Sequence, residues 1–242
     1  MKNLLTINPK KETNKIISFL KQTFRKQRID KVVIGLSSGI DSTVALYLIK
    51  EALSKKNIYA VQMDYNPRKK SNIDLKGINV INIPIRVIVD QFNIEGSKIR
   101  LGNIMARVRM IVLFDLAKKY RAMVCGTENK SEKLLGYFTR FGDAASDIEP
   151  IAHLYKTQIL QLAKYLKVPK KIIQQSPTAG LWDGQTDEDD FGFTYQEADQ
   201  VLYLTHDRGQ DINKVIKSFP NARKIIKRFL NNQFKLQTPY SL

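Results

Sequence analysis

The chain has 242 residues, 43% hydrophobic and 26% charged, with 40 Lys and Arg against 23 Asp and Glu, a formal net charge of +17. That length fits one α/β domain with a sizeable core, and no apolar run approaches the ~20 residues needed to span a bilayer. A single cysteine, Cys125, excludes an internal disulfide, and the first dozen residues carry no signal-peptide core, so a reducing, cytoplasmic setting is expected. The charge suits anionic partners. Yet Lys and Arg are spread along the chain with no aromatic-interleaved basic stretch, so solvated lysine-rich helices are the simpler reading and nucleic acid is not expected.

Residues 10–28 carry Ile16, Ile17, Phe19, Leu20 and Phe24 at helical spacing. Val32, Val33, Ile34 and Leu36 read as a buried strand that stops at Ser37-Ser38-Gly39, and Asp41-Ser42-Thr43 opens a helix to about Leu53. Strand, small polar turn and helix N-terminus together make an anion site, where free N–H groups and the positive helix end face a phosphate. No Gly-Lys-Ser/Thr follows, so this is not a Walker A loop, and Gly-x-Gly-x-x-Gly is absent. Residues 57–63 form a second strand, 64–77 a polar loop, and 78–85 a third strand stopped near Pro84. A strong helix spans 103–120 and a short strand 122–125, with Ile151 in a fifth. Helices follow at 156–166, after Pro169, and at 195–204, 212–218 and 222–230, with a long acidic loop at 176–190. Strands alternating with helices predict a Rossmann-like, doubly wound parallel sheet of about five strands, covered on both faces, with extra C-terminal helices. Ligands of such sheets sit beyond the C-terminal strand ends, where the Ser37 and Gly126 loops both fall.

Polar residues and glycines crowd Gly126-Thr127-Glu128-Asn129-Lys130-Ser131-Glu132 and Gly136-Tyr137-Phe138-Thr139-Arg140-Phe141-Gly142-Asp143. Taken singly, these residues stay ambiguous. Asp41 also reads as a helix cap, Glu132 as a solvent-facing acid, Lys130 and Lys156 as exposed lysines, Tyr137 as a core tyrosine and Trp182 as a packing anchor. His153 and His206 lack partners at metal-ligand spacing and read as structural.

The Ser37–Ser42 loop resembles the Ser-Gly-Gly-x-Asp-Ser loop of the N-type ATP pyrophosphatases, with Ser38 in place of the first glycine. Asn103-x-x-Ala106-Arg107-x-Arg109-Met110, Gly126-Thr127-x-Asn129-Lys130-Ser131-Glu132 and Gly180-Leu181-Trp182-x-Gly184-Gln185-Thr186-Asp187-Glu188 narrow this. Together, over roughly residues 10 to 200, they resemble the NAD synthetases of the ammonia-dependent type. The resemblance implies one domain over 1–242 without a glutamine-hydrolysing domain, with ATP, nicotinic acid adenine dinucleotide (deamido-NAD) and ammonia as substrates. ATP would adenylate the nicotinate carboxylate and ammonia would then displace AMP. It implies Asp41, Glu132 and Lys156 as the catalytic set, with Asp41 and Glu132 holding Mg²⁺. Ser37, Ser38, Gly39, Ser42, Arg107, Thr127, Lys156 and Thr178 would contact ATP. Arg109, Lys130, Tyr137, Arg140, Asp143, Asp147 and Lys235 would contact deamido-NAD, in a homodimer. Three departures stand out: Ser38, whose Cβ is costly if φ is positive; a short 64–77 crossover; and a tail that keeps only Lys235 and Pro239. A tRNA-modifying pyrophosphatase and a non-catalytic nucleotide-binding module are the competing readings.

Overall fold

The computed structural model describes residues 4–66, 73–178, 180, 182, 184–237 and 239–240. Four parallel strands, β1 (Val32–Gly35), β2 (Ile58–Gln62), β3 (Asn79–Asn82) and β4 (Met123–Cys125), lie in the order β3-β2-β1-β4. Val32 sits opposite Ile58 on one side and Met123 on the other, so β1 is central. Its residues Val32, Val33 and Ile34 have no exposed surface, as a strand covered on both faces requires. The alternation divides the core. Val32 and Ile34 join a cluster with Ile16, Leu20 and Leu46, whereas Val33 joins one with Val61, Met105 and Val108.

The first cluster is covered by α1 (Pro9–Gln27), α2 (Ile40–Ala52) and, later in the chain, α6 (Lys156–Tyr165). Helix α1 starts at Asn8, whose side chain accepts the Lys11 N–H, and buries Ile16, Leu20 and Phe24. The other face is covered by α3 (Arg86–Asp90) and the long α4 (Lys98–Tyr120). Helix α4 begins five residues earlier than the apolar spacing predicts, because Ser97 caps it by accepting the Arg100 N–H. After β4 come α5 (Lys130–Leu135), α6, α7 (Lys170–Ile173), α8 (Asp187–Phe191), α9 (Tyr195–Leu202), α10 (Ile212–Ser218) and α11 (Ala222–Asn232). Helices α5, α9, α10 and α11 close around a third cluster containing Leu135, Tyr155, Phe191, Val201 and Ile225. Between α9 and α10, Tyr203–Asp207 forms a π-helical turn.

The fifth strand expected around Ile151 is, among the described residues, a single parallel bridge between Cys125 and Ile148. Pro150 cannot donate to a ladder, and the Val124 N–H is taken by the Asp147 carboxylate at 2.7 Å rather than by a strand carbonyl. The polar loop expected over 64–77 falls in part, at 67–72, outside the described residues. No described helix is long and apolar enough to cross a membrane.

Candidate active site

The central strands β1 and β4 deliver their loops side by side. The Leu36 N–H still donates to Val61 O at 2.8 Å, then the chain turns at Ser37-Ser38-Gly39. Ser38 has φ 64°, the left-handed conformation that favours glycine, so the serine at this position is strained. Gly39 occupies the cap position of α2 without a side-chain cap, which removes the reading of Asp41 as the cap. The Ser42 and Thr43 hydroxyls both donate to Gly39 O, at 3.1 and 2.8 Å, and fix the turn.

Beyond β4, Gly126 packs directly against the Glu149 carboxylate, and a Cβ there would force that side chain to shift. Asn129 then caps α5: its Oδ1 accepts the Glu132 N–H at 3.0 Å, and Glu132 Oε2 accepts the Asn129 N–H at 3.3 Å. The Asn129 amide also donates to Asp41 Oδ1 at 3.0 Å, tying the two loops together.

Lys156 is the first residue of α6. Its N–H donates to Ser131 Oγ at 2.8 Å, that hydroxyl donates to Asp199 Oδ1 at 2.5 Å, and Asp199 Oδ2 accepts the Thr157 N–H at 2.9 Å. So held, the Lys156 ammonium lies 2.6 Å from Asp41 Oδ2 and 3.3 Å from Glu132 Oε1, with its side chain 4% exposed. Asp187, 2% exposed, adds its charge nearby; its Oδ2 accepts from Tyr195 and its buried Oδ1 has no partner among the described residues. Three carboxylates therefore crowd one ammonium. Burial works against the lysine's charge, but Asp41 and Glu132 outweigh it and hold the ammonium protonated well above its ordinary range. Glu132 is pushed up to about 8, first by burial, then by Asp41 and Asp187, against the pull of Lys156. Among the described residues, no three His, Cys, Asp or Glu side chains are grouped to hold a metal ion by themselves.

These groups open on a cavity of about 1270 Å³. Ser37, Ser38, Gly39, Asp41, Ser42, Arg109, Thr127, Glu132, Tyr137, Asp143, Lys156, Thr178 and Lys235 all line it. Four expected site residues lie elsewhere. Lys130 is paired with Asp207 at 2.6 Å and sits over the Tyr155 ring. Arg107 donates to Arg140 O, Arg140 lies over the Phe234 ring, and Asp147 is bound to the β4 backbone. Tyr137 donates to Asp190 at 2.7 Å and meets Phe191 edge-on. Asp143 accepts the Thr139 N–H, and burial raises its pKa. Burial pushes Glu128 up to about 8, aided by Glu149, and its Oε1 lacks a partner. In the loop after α7, Trp182 lies against Lys98 of α4, 6.0 Å from ammonium to ring centre, which links that loop to the far wall. Cys125 is buried and inert, its thiol pushed up by burial. Asp187, Arg228 and Asn232 also line the cavity and were not singled out from sequence. Asp187 lies inside the quoted 180–188 stretch. Arg228 and Asn232 sit on an ordinary amphipathic helix with no local signal.

The parallel sheet, its two strand-end loops and the charged cavity define a nucleotide-binding α/β protein of the ATP-pyrophosphatase type. The model of the NAD synthase family matches residues 12–239, and the chain belongs to that family. The NH(3)-dependent NAD(+) synthetase of Fusobacterium nucleatum is 40% identical, over 98% of this chain and 97% of the relative. That of Thermoplasma volcanium is 39% identical, over 96% and 97%. Among solved structures, an NMN synthetase from Francisella tularensis superposes with a TM-score of 0.83 at 33% identity, covering 98% of this chain and 99% of that one. The NH3-dependent NAD synthetase of Campylobacter jejuni gives 0.81 at 32%, covering 98% and 100%.

Proposed function

We propose that the chain amidates deamido-NAD to NAD with ATP and ammonia, through an acyl-adenylate, acting as a single cytoplasmic domain. The observation that carries this reading is the convergence of Asp41, Glu132 and Lys156 beside the Ser37–Ser42 turn, in a family whose relatives bear that activity by name.

A carboxylate is a poor electrophile, so the reaction is split in two. A nicotinate oxygen attacks the α-phosphorus of ATP, the bond to the β-phosphate oxygen breaks, and pyrophosphate leaves. Ammonia nitrogen then attacks the carboxyl carbon, the bond to AMP breaks, and one proton is lost. The turn before α2 receives the pyrophosphate on backbone N–H groups and the Ser37 and Ser42 hydroxyls, at the positive end of a 13-residue helix. Thr127, Thr178 and Arg109 lie in reach of the nucleotide within the same cavity, and Tyr137 offers a ring to the pyridine. The 176–190 loop shields the adenylate from water.

The residues fit Mg²⁺. Asp41 Oδ2 and Glu132 Oε1 already converge on one cation, the lysine ammonium, and these two carboxylates are the groups that would hold the ion. Hard carboxylate oxygens are the ligand type that Mg²⁺ takes. When bound, the ion supplies charge neutralisation on the phosphates. Lys156, the first residue of α6 and a lining residue of the same cavity, would offer its ammonium to the phosphate oxygens. We also propose a homodimer, with exposed Ile99 and Ile111 of α4 in its interface; sedimentation showing only monomer at micromolar concentration overturns that part.

The test incubates the protein with ATP, Mg²⁺, deamido-NAD and ammonium. Equal yields of NAD, AMP and pyrophosphate are expected, and no amide product refutes the reading. Asp41→Asn should abolish turnover. The likeness to an NMN synthetase favours a second reading, in which nicotinic acid mononucleotide is the preferred acceptor. Comparing kcat/KM for the two acceptors decides between them.

A further inference from the structure

The C-terminal helix contributes a wall to the cavity that the adenylation chemistry does not use. Arg228 and Asn232 on α11, four residues apart, and Lys235 three further on all face the cavity. Asn232 packs so close to Gly136 that a Cβ there would lie 2.3 Å from its own, and Gly136 has φ 64°. The wall is thus pinned to the end of α5. Lys235 is committed to the protein: its ammonium donates to Gly136 O at 2.5 Å and Phe138 O at 2.8 Å.

Arg228 is not so committed. Its Nε donates to Leu135 O at 3.1 Å, and its guanidinium lies 4.6 Å from the ring centre of Phe191 and 5.7 Å from that of Tyr137. It is half-buried, and among the described residues no carboxylate oxygen lies within 4.0 Å of it. The acid whose charge reaches it, Asp190, already accepts from Tyr137 and Gln185. Burial consequently pulls the arginine's pKa down. A guanidinium partly removed from water without a counter-ion is costly to keep. Its fixed planar fork matches anions that present two oxygens, and its flanking rings hold that plane in place. An anionic ligand in the cavity would supply the missing partner.

We propose that Arg228 is a substrate-binding residue that pairs with a two-oxygen anionic group of the nicotinate nucleotide, its carboxylate or its 5′-phosphate. This rests on the amidation reading above. The residue sets KM for the acceptor and leaves ATP binding alone.

The experiment compares wild type, Arg228→Gln and Arg228→Lys in steady-state amidation, with calorimetric binding of nicotinamide mononucleotide (phosphate without carboxylate) and nicotinic acid riboside (carboxylate without phosphate). Arg228→Gln should raise KM for deamido-NAD roughly ten- to hundredfold, with KM for ATP unchanged. Arg228→Lys should recover part of that loss. Weakened binding of the mononucleotide alone assigns the phosphate; weakened binding of the riboside alone assigns the carboxylate. An unchanged acceptor KM overturns the proposal, as does an equal rise in both KM values with a fall in melting temperature, which marks a purely structural arginine. If Arg228→Gln does not fold, Arg228→Lys decides: it keeps the charge but not the fork, and an unchanged acceptor KM in that variant overturns the pairing. Wild type that forms no amide from any nicotinate nucleotide refutes the amidation reading instead, while the two binding measurements still report on Arg228.

Discussion

Replacing Lys156 with Met removes a cation from between two carboxylates while keeping most of the side-chain volume. At 2.6 Å, and an effective dielectric constant near 20, the attraction to Asp41 is worth about 6 kcal/mol before desolvation, while Glu132, pushed up to about 8, keeps its proton at neutral pH and adds a hydrogen bond rather than a second full charge. Most of that offsets the cost of taking the buried charges out of water. Removing one member of such a buried set costs about 3–5 kcal/mol, because the others are left unpaired. In a chain of this length each kcal/mol shifts the melting temperature by about 2–4 °C, so Lys156→Met should melt about 6–20 °C lower without metal. Mg²⁺ should then take the lysine's place. At a hundredfold excess over its dissociation constant it returns about 2.7 kcal/mol. Wild type, with its ammonium seated, should respond little to Mg²⁺ alone. Scanning calorimetry without nucleotide, with and without millimolar Mg²⁺, reads both effects. A variant no more responsive to Mg²⁺ than wild type refutes the idea that Asp41 and Glu132 hold the metal.

Ser38→Gly should stabilise the protein. Relief of the left-handed strain is worth about 1–2 kcal/mol, and the added freedom of the unfolded glycine takes back about 0.4–1, so a rise of about 2 °C is expected; a fall would show that the hydroxyl does more than tolerate the turn. Asp199→Ala should cost about 3 kcal/mol, since buried Thr157 N–H and Ser131 lose their acceptor, and should lower kcat by loosening Lys156; urea unfolding and initial rates check both. Glu128 keeps its proton in the fold up to about 8 but loses it near 4.5 when unfolded. The folded state therefore binds the extra proton across that window, and the contribution to stability is complete below pH 4.5 and is lost as pH rises to 8. Glu128→Gln should flatten the pH profile of stability by up to about 1.4 kcal/mol per unit there, measured as urea midpoints between pH 5 and 9.

The sheet was legible because its strands are short, apolar and β-branched, and because Ser37-Ser38-Gly39 and Gly126-Thr127 mark where they stop. Asp41, Glu132 and Lys156 stood out only through the family resemblance of the segments that hold them, and they meet although 115 residues separate Asp41 from Lys156. Other features depend on pairings that no local pattern encodes. Lys130 looks like a free cation until Asp207, 77 residues later, arrives on a π-helical turn. Asp147 reads as a site acid, yet its carboxylate completes the edge of β4. Asp41 carries a capping residue's signature, but the chain places Gly39 at the cap and frees the carboxylate. Arg228 became visible only when α11 folded back against α5.

Asn129 has no exposed surface and serves two loops at once. Its oxygen sets the first turn of α5, and hence Glu132; its nitrogen holds Asp41 on α2. The spacing between those carboxylates is therefore not the sum of two independent loop conformations. It is gauged by one planar amide less than a side chain long. Errors that accumulate along the 91 residues of chain from Asp41 to Glu132 are cancelled at that amide, in the way a spacer fixes two plates whatever the length of the frame joining them. Aspartate there could hold α5 but would repel Asp41, and a histidine or glutamine would change the gauge.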